Sequence, residues 1–196
     1  MDNYELRGKE ICFSFSFIAT NYFLILTMKD NTFLLVHTDL DARKATEYLS
    51  KIPNIIWASP VYGPDHIVAY LESDGPGEME EVIEDIRARR YIKSIDSRPC
   101  KVIPGYEVKP SIEFTLPVRA CLMINVNYHT LKERDLVAFL KSKPYTVQVR
   151  ACWGPSDTIA LIEAMDNEEL RNVVCDEIKL YPGVNSLSTR VCYEKI

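Results

Sequence analysis

The sequence predicts an α+β chain: two tandem β-α-β-β-α-β units whose sheets pair face to face into an α/β-barrel-like pseudo-dimer. Three observations predict it. Residues 62–73 read YGPDHIVAYLES and residues 153–164 read WGPSDTIALIEA, the same aromatic-Gly-Pro turn running into the same apolar strand. Strand-like and helix-like patterns follow one order around each copy, displaced by about 90 residues. Each unit has helices for only one face of its sheet, so the other face needs a partner, and a second copy in the same chain supplies it.

In the first unit NTFLLVHTD (31–39) is a compact β-type run. Ala45, Tyr48, Leu49 and Ile52 follow at i, i+3, i+4, i+7, one apolar helix face, and Pro53 is a stop signal. IIWASPVY (55–62) reads as a strand, and Pro60, which cannot donate to a ladder, puts it at a sheet edge or at a bulge. Gly63-Pro64 turns into the strand HIVAYLE (66–72), and Met79, Val82, Ile83 and Ile86 repeat the helical stripe. A short strand at about 91–98 closes the unit.

In the second unit RACLMINVN (119–127) is the first strand, and Leu136, Phe139 and Leu140 mark the first helix. YTVQVRACW (145–153) alternates, with Val147, Val149, Ala151 and Trp153 on one face and Gln148 and Arg150 on the other. Gly154-Pro155 turns into DTIALIEA, Leu170, Val173, Val174 and Ile178 form the second helix stripe, and YPGVNSLSTRVCYE ends the copy. This order is the split βαβ, or ferredoxin-like, unit. The expected organisation is an N-terminal strand or extension over 1–30, a first unit over 31–100, an extended linker over 101–117 and a second unit over 118–196.

At 196 residues, 47% hydrophobic and 26% charged, the chain has an ordinary globular composition. A net charge of −5 argues against a chain whose main task is gripping phosphates; Arg87, Arg89, Arg90 and Lys93 lie on or just after an acidic helix. ICFSFSFIATNYFLIL (11–26) is interrupted by Ser, Thr and Asn and reads as a strand rather than a membrane span. MDNYELRGKE is not the positive start of a signal peptide, so the expected location is cytoplasmic. The six cysteines form no C-x-x-C pair and the three histidines are scattered, so no metal site is assigned. Cys121, Cys152 and Cys175 fall in apolar patterns and are expected to be buried thiols, while Cys100 and Cys192 stand at equivalent places near the two repeat ends.

The ordered set of features resembles the effector-binding and oligomerisation (RAM) domain of the Lrp/AsnC regulators. It comprises FLLVHTD, a helix ending in KIPNI, the W-x-x-x-V-Y-G turn into HIVAYLE, EEVIEDIR and IKSIDSR. The second copy keeps Gly154 and Asp157 of the family's Gly-x-x-Asp turn and PGVNSLSTR near its end. The first keeps Gly63 and has His66 at the Asp place. The resemblance covers about 160 of the 196 residues. Family regulators usually begin with a helix-turn-helix, whereas the segment before the first copy reads as strand, so nucleic-acid binding is expected only through a partner.

The resemblance implies a small effector, an amino acid among the candidates, held near the two turns. The implied binding residues are Tyr62, Gly63, Pro64, Asp65 and His66, with Trp153, Gly154, Pro155, Ser156 and Asp157. Glycine admits a ligand to backbone N–H groups, the carboxylates can accept from an ammonium, and the aromatics can wall a pocket. The competing explanation is that Gly-Pro-polar-polar is what a plain hairpin needs. Arg98 and Arg190 are candidates for clamping a carboxylate or for structural ion pairs, and Glu72 and Glu163 close the repeated strands without acid/base spacing. Three functions stay open. One is a metabolite-binding, self-associating module working through related regulators. Another is an enzyme of tetrapyrrole-processing type, with His66, Arg150, His37 and Tyr70 as its available polar groups. The third is a ligand-free interaction module. No cofactor and no catalytic residue is assigned.

Overall fold

The computed structural model describes residues 29–103 and 112–193. The strand expected over 11–26, Cys12 and the middle of the linker lie outside the described residues. The first half runs β1 (Asp30–Thr38), α1 (Ala42–Leu49), β2 (Ile55–Pro60), β3 (Ile67–Ser73), α2 (Pro76–Arg87) and β4 (Ile92–Pro99). The second runs β5 (Val118–Val126), α3 (Glu133–Lys141), β6 (Thr146–Ala151), β7 (Thr158–Ala164), α4 (Asn167–Asn172) and β8 (Val184–Val191). A π-helical turn, Val173–Ile178, continues α4. The two sheets have the orders β2-β3-β1-β4 and β6-β7-β5-β8, and every neighbouring pair is antiparallel. Each is the ferredoxin-like arrangement.

Local chemistry sets the helix ends. Asp41 caps α1 by accepting from the amides of Arg43 and Lys44, and Asp166 caps α4 by accepting from Glu169 N. Pro76 opens α2, where its missing N–H is no loss. Of the α1 face expected from spacing, Ala45 and Leu49 are buried, Tyr48 is exposed beside Tyr91, and Ile52 packs on the core from beyond the helix end. The helix is shorter than its periodic pattern.

The central strands are buried on both faces. On β1 and β3, Leu34, Val36, Ile67, Ala69 and Leu71 face the helices, whereas Phe33, Leu35, Val68 and Tyr70 face the second half. On β5 and β7, Ala120, Leu122, Ile124, Ala160 and Ile162 face the helices, whereas Cys121, Met123, Ile159 and Leu161 meet the first half. The molecule therefore has two helix-side cores and one shared inter-sheet layer.

Pro60 sits at the end of edge strand β2, whose register shifts between Ile55 and Trp57. A matching shift between Thr146 and Gln148 corrects the alternation expected of β6. Val149 and Ala151 face α3, but Val147 packs into the inter-sheet layer and Trp153 is 64% exposed. Cys175 is exposed, not buried, because the π-helical turn buries Val174 and Ile178 and turns Cys175 outward.

Phe33 is fully buried in the inter-sheet layer with its ring 4.9 Å from that of Tyr70. Phe33→Ala is expected to cost about 3–5 kcal/mol and to shift one unfolding transition reported alike by probes in both halves. Denaturant unfolding with fluorescence and circular dichroism checks this, and two separated transitions would contradict the shared layer.

Candidate functional site

The two sheets are joined at two seams. At the first, Cys100 and Cys152 form an antiparallel bridge flanked by Lys101 N donating to Ala151 O and Trp153 N donating to Pro99 O, both at 2.8 Å. At the second, Val61 pairs with Cys192, and Tyr62 N donates to Val191 O at 2.8 Å. Each repeated Gly-Pro turn begins immediately after its seam. Both glycines have positive φ, 138° at Gly63 and 117° at Gly154.

An arginine from the opposite half lies where a side chain would go. A Cβ on Gly63 would stand 2.7 Å from Arg190 Cδ, and one on Gly154 would stand 3.3 Å from Arg98 Cδ. The glycines thus serve both a left-handed backbone and the close approach of the other copy's last strand. The equivalent arginines carry exchanged partners. Arg190 Nε donates to the buried Asp65 at 2.8 Å and its Nη1 reaches Ser188 Oγ at 2.5 Å. Arg98 pairs in two-pronged fashion with Asp96 on its own strand, and the turn beside it carries the buried Ser156. Carboxylate and hydroxyl have traded places between turn and strand.

The ten turn residues therefore divide. Tyr62, Gly63, Pro64, Trp153, Gly154 and Pro155 are exposed, whereas Asp65 and Ser156 are buried. His66 and Asp157 do one job in the two halves. Asp157 Oδ2 accepts from Val126 N at 2.8 Å, and His66 Nδ1 lies 3.1 Å from Thr38 N and 2.9 Å from Thr38 O, so each meets the backbone at the end of its half's first strand, β5 or β1. His37 Nε2 lies 3.2 Å from Asp65 Oδ1 and its ring centroid 5.5 Å from that of His66. Tyr70 and Arg150 meet elsewhere, between the sheets: Arg150 Nη2 donates to Tyr70 Oη at 3.1 Å, and Tyr70 donates to Asn31 at 2.8 Å. Burial pushes the Tyr70 phenol up to about 12 against the opposing pull of Arg150. The four polar groups considered for catalysis thus fall into two separate places.

Glu72 and Glu163 anchor the chain entering each half. Glu72 pairs with Lys29 at 2.9 Å, just before β1. Glu163 accepts from Thr115 N at 2.6 Å, Thr115 Oγ1 at 2.7 Å and Leu116 N at 2.9 Å, just before β5. Burial alone would raise the Glu163 carboxyl, but these hydrogen bonds and Arg119 outweigh it and hold it below its ordinary value.

Two clefts open beside the seams. The larger, about 700 Å³, lies between α1 and the second seam and takes its walls from both halves. Glu47, Ser50 and Lys51 line it from α1 and the turn after it, Ser59 from β2, Arg119 from β5, and Cys192 and Tyr193 from beyond β8. The Tyr193 ring lies 4.6 Å from that of Tyr62, so the cleft abuts the first turn. Burial pushes the Cys192 thiol up to about 11, with Ser59 and Arg119 acting against it. The smaller cleft, about 520 Å³, is lined by Lys101, Ile103, Tyr128, Lys132, Glu133, Arg134 and Trp153. Lys101 lies 4.4 Å above the Trp153 ring and pairs with Glu133. Arg119, Lys51 and Ser59 carry no motif in the sequence, because helix, edge strand and opposite half meet only in the closed fold. Among the described residues no helix is long and apolar enough to cross a membrane, and no group of three or more His, Cys, Asp or Glu is arranged to hold a metal ion.

No protein-family model matches the chain, and the comparison with curated proteins likewise gives no match. Solved structures share the fold. The siroheme decarboxylase NirDL aligns over 87% of this chain and 73% of its own, with 9% identity and a TM-score of 0.65. A mutant chlorite dismutase from Candidatus Nitrospira defluvii aligns over 85% of this chain and 91% of its own, with 9% identity and a TM-score of 0.52. AsnC of E. coli aligns over 62% of this chain and 74% of its own, with 15% identity and a TM-score of 0.35. At these identities the first two show a common architecture of paired α+β halves.

Gly63→Ala is expected to destabilise by about 1–3 kcal/mol and Gly154→Ala by less, because Arg98 stands farther from its glycine than Arg190 does. Equilibrium unfolding of the two variants checks the order. For Glu163 the folded pKa is depressed, so its stabilisation is complete above the ordinary Glu value of about 4.3 and is lost as pH falls through the folded value. Glu163→Gln should flatten the acid limb of the stability–pH curve, and an unchanged limb would contradict the assignment.

Proposed function

We propose that this chain is a small-molecule binding module of the Lrp/AsnC effector-domain kind. It takes a zwitterion of amino-acid class and acts through association with further copies or with related regulators that read DNA. The observation that carries this reading is the lining of the larger cleft. Its volume, about 700 Å³, lies within the range of about 300–1,000 Å³ usual for small-molecule sites. The wall carries both signs of charge, Glu47 together with Arg119 and Lys51, and Ser59 adds a neutral hydroxyl, a polarity that suits a zwitterion. Pro60, Pro117 and the Tyr193 ring supply apolar wall. The turn residues act here as the frame: Tyr62 backs Tyr193, and the Asp65–Arg190 pair holds the seam from which Tyr193 emerges.

A second reading, an enzyme of tetrapyrrole-processing type, has the likeness in fold to NirDL in its favour. Its candidate groups work against it. Tyr70 and Arg150 are engaged with each other between the sheets, and His37 and His66 stand at the first turn. Added sirohaem-class tetrapyrrole is expected to show no perturbed absorbance and no turnover, and either would favour the enzyme.

The test is thermal melting of the full chain against the twenty amino acids and a small metabolite panel, with light scattering alongside. A cognate ligand at a hundredfold excess over its Kd should raise Tm by roughly 5–10 °C, since it binds only the folded state. Ser50→Trp, an exposed change at the rim of the cleft, should abolish the shift while leaving the ligand-free Tm in place. Absence of any shift across the panel, or a shift that survives Ser50→Trp, would overturn the assignment and favour the ligand-free interaction module.

A further inference from the structure

Cys100 and Cys152 face each other across the first seam. The flanking hydrogen bonds, Lys101 N to Ala151 O and Trp153 N to Pro99 O, make them a non-hydrogen-bonded antiparallel pair. In such a pair the Cα atoms lie about 4.5 Å apart with both side chains on one face, inside the window of about 4.4–6.8 Å that a disulfide requires. Both side chains enter the same inter-sheet layer, where Cys152 Sγ donates to Arg150 O at 3.7 Å. Cys152 is buried, while Cys100 is partly exposed, so Cys100 is the member of the pair nearer to solvent.

Among the described residues the other cysteines lack this arrangement. At the second seam the equivalent positions hold Val61 and Cys192. Cys121 pairs with Leu161 and Arg190 in its sheet, and Cys175 lies exposed on the π-helical turn. The equivalence of Cys100 and Cys192 noted in the sequence therefore places them at different seams, each facing another residue.

We propose that Cys100 and Cys152 are an oxidisable dithiol whose disulfide ties β4 to β6 and closes the first seam covalently, with a low-molecular-weight disulfide as oxidant. The Cys100 thiolate attacks one sulfur of the small disulfide, expelling one small thiol and leaving a mixed disulfide on Cys100. Cys152 then loses its proton and attacks Cys100 Sγ, expelling the second small thiol. The protein gives up two electrons and two protons, and the small disulfide takes up both as two thiols. The adjacent Cys100 thiol, together with burial, holds the Cys152 thiol well above the ordinary thiol range. Ring closure needs the Cys152 thiolate and therefore accelerates as pH rises. The bridge stands directly behind Lys101 and Trp153, so oxidation also stiffens the wall of the smaller cleft.

The experiment incubates the full chain with oxidised glutathione at mildly alkaline pH, caps free thiols and maps peptides without reduction. A Cys100–Cys152 peptide pair is expected, with Tm raised by roughly 5–15 °C and both effects reversed by dithiothreitol. Cys152→Val, which installs the residue found at the equivalent place in the second seam, and separately Cys100→Ser should each remove the cross-link and the shift. Val61→Cys should create a second bridge, to Cys192. Recovery of Cys100 only as free thiol or glutathione adduct, or its pairing with any other cysteine, overturns the proposal.

Discussion

An arginine from each half lies in the space that a glycine of the other half leaves open, and the rest of the structure depends on that reciprocal contact. Arg190 approaches Gly63 and Arg98 approaches Gly154 so closely that a Cβ would meet the arginine Cδ at 2.7 and 3.3 Å. The turns can then run past the ends of the opposite sheet, and the seam hydrogen bonds on either side of Val61–Cys192 and Cys100–Cys152 form. Burying a guanidinium costs free energy unless it is paired. Each copy meets that cost with one carboxylate, contributed by the turn in one case and by the strand in the other.

Closure of the seams gives the shared layer its character. Phe33, Val68, Tyr70, Met123, Ile159 and Leu161 would face water in an isolated half. In the pair they form an interior comparable to the two helix-side cores, with one polar insertion where Tyr70 meets Arg150 and Asn31. A fused repeat can differentiate its two seams in a way a symmetric dimer cannot. One seam carries Asp65, His37 and the larger cleft, and the other carries a dithiol and a cleft walled by Trp153. The candidate ligand site lies outside the shared layer, where α1 of one half meets the last strand of the other.

The architecture was legible because it is written in local periodicity. Runs such as FLLV and IALI announce strands buried on both sides, and the repeated Gly-Pro turn announces two copies. What escaped is non-local. Asp65 and Arg190 are far apart in sequence, so nothing in either neighbourhood says that the turn aspartate answers a distant guanidinium. The β6 register shift breaks the alternation of YTVQVRACW at a point where every residue is strand-compatible, so the face of Val147 could not be read. Cys175 sits at an apolar spacing for an α-helix but on a π-helical turn, which rotates it outward. The polar residues of the turns have the chemistry of ligand contacts, but Asp65, His66 and Asp157 are engaged within the fold. The cleft beside them joins Ser59, Arg119 and Tyr193 from three separate strands' ends and has no sequence signature.

The exchange of carboxylate and hydroxyl between the seams permits a direct test of the reciprocal contact. Asp65→Ser alone removes the partner of Arg190, and the double variant Asp65→Ser with Ser188→Asp rebuilds at the second seam the arrangement native to the first, where Asp96 serves Arg98 beside Ser156. The measurement is the unfolding free energy of the single and double variants. The account predicts a loss of about 2–4 kcal/mol for the single change and recovery of most of it in the double. A double variant no more stable than the single would contradict it, since the two seams would then not be interchangeable solutions to one buried charge.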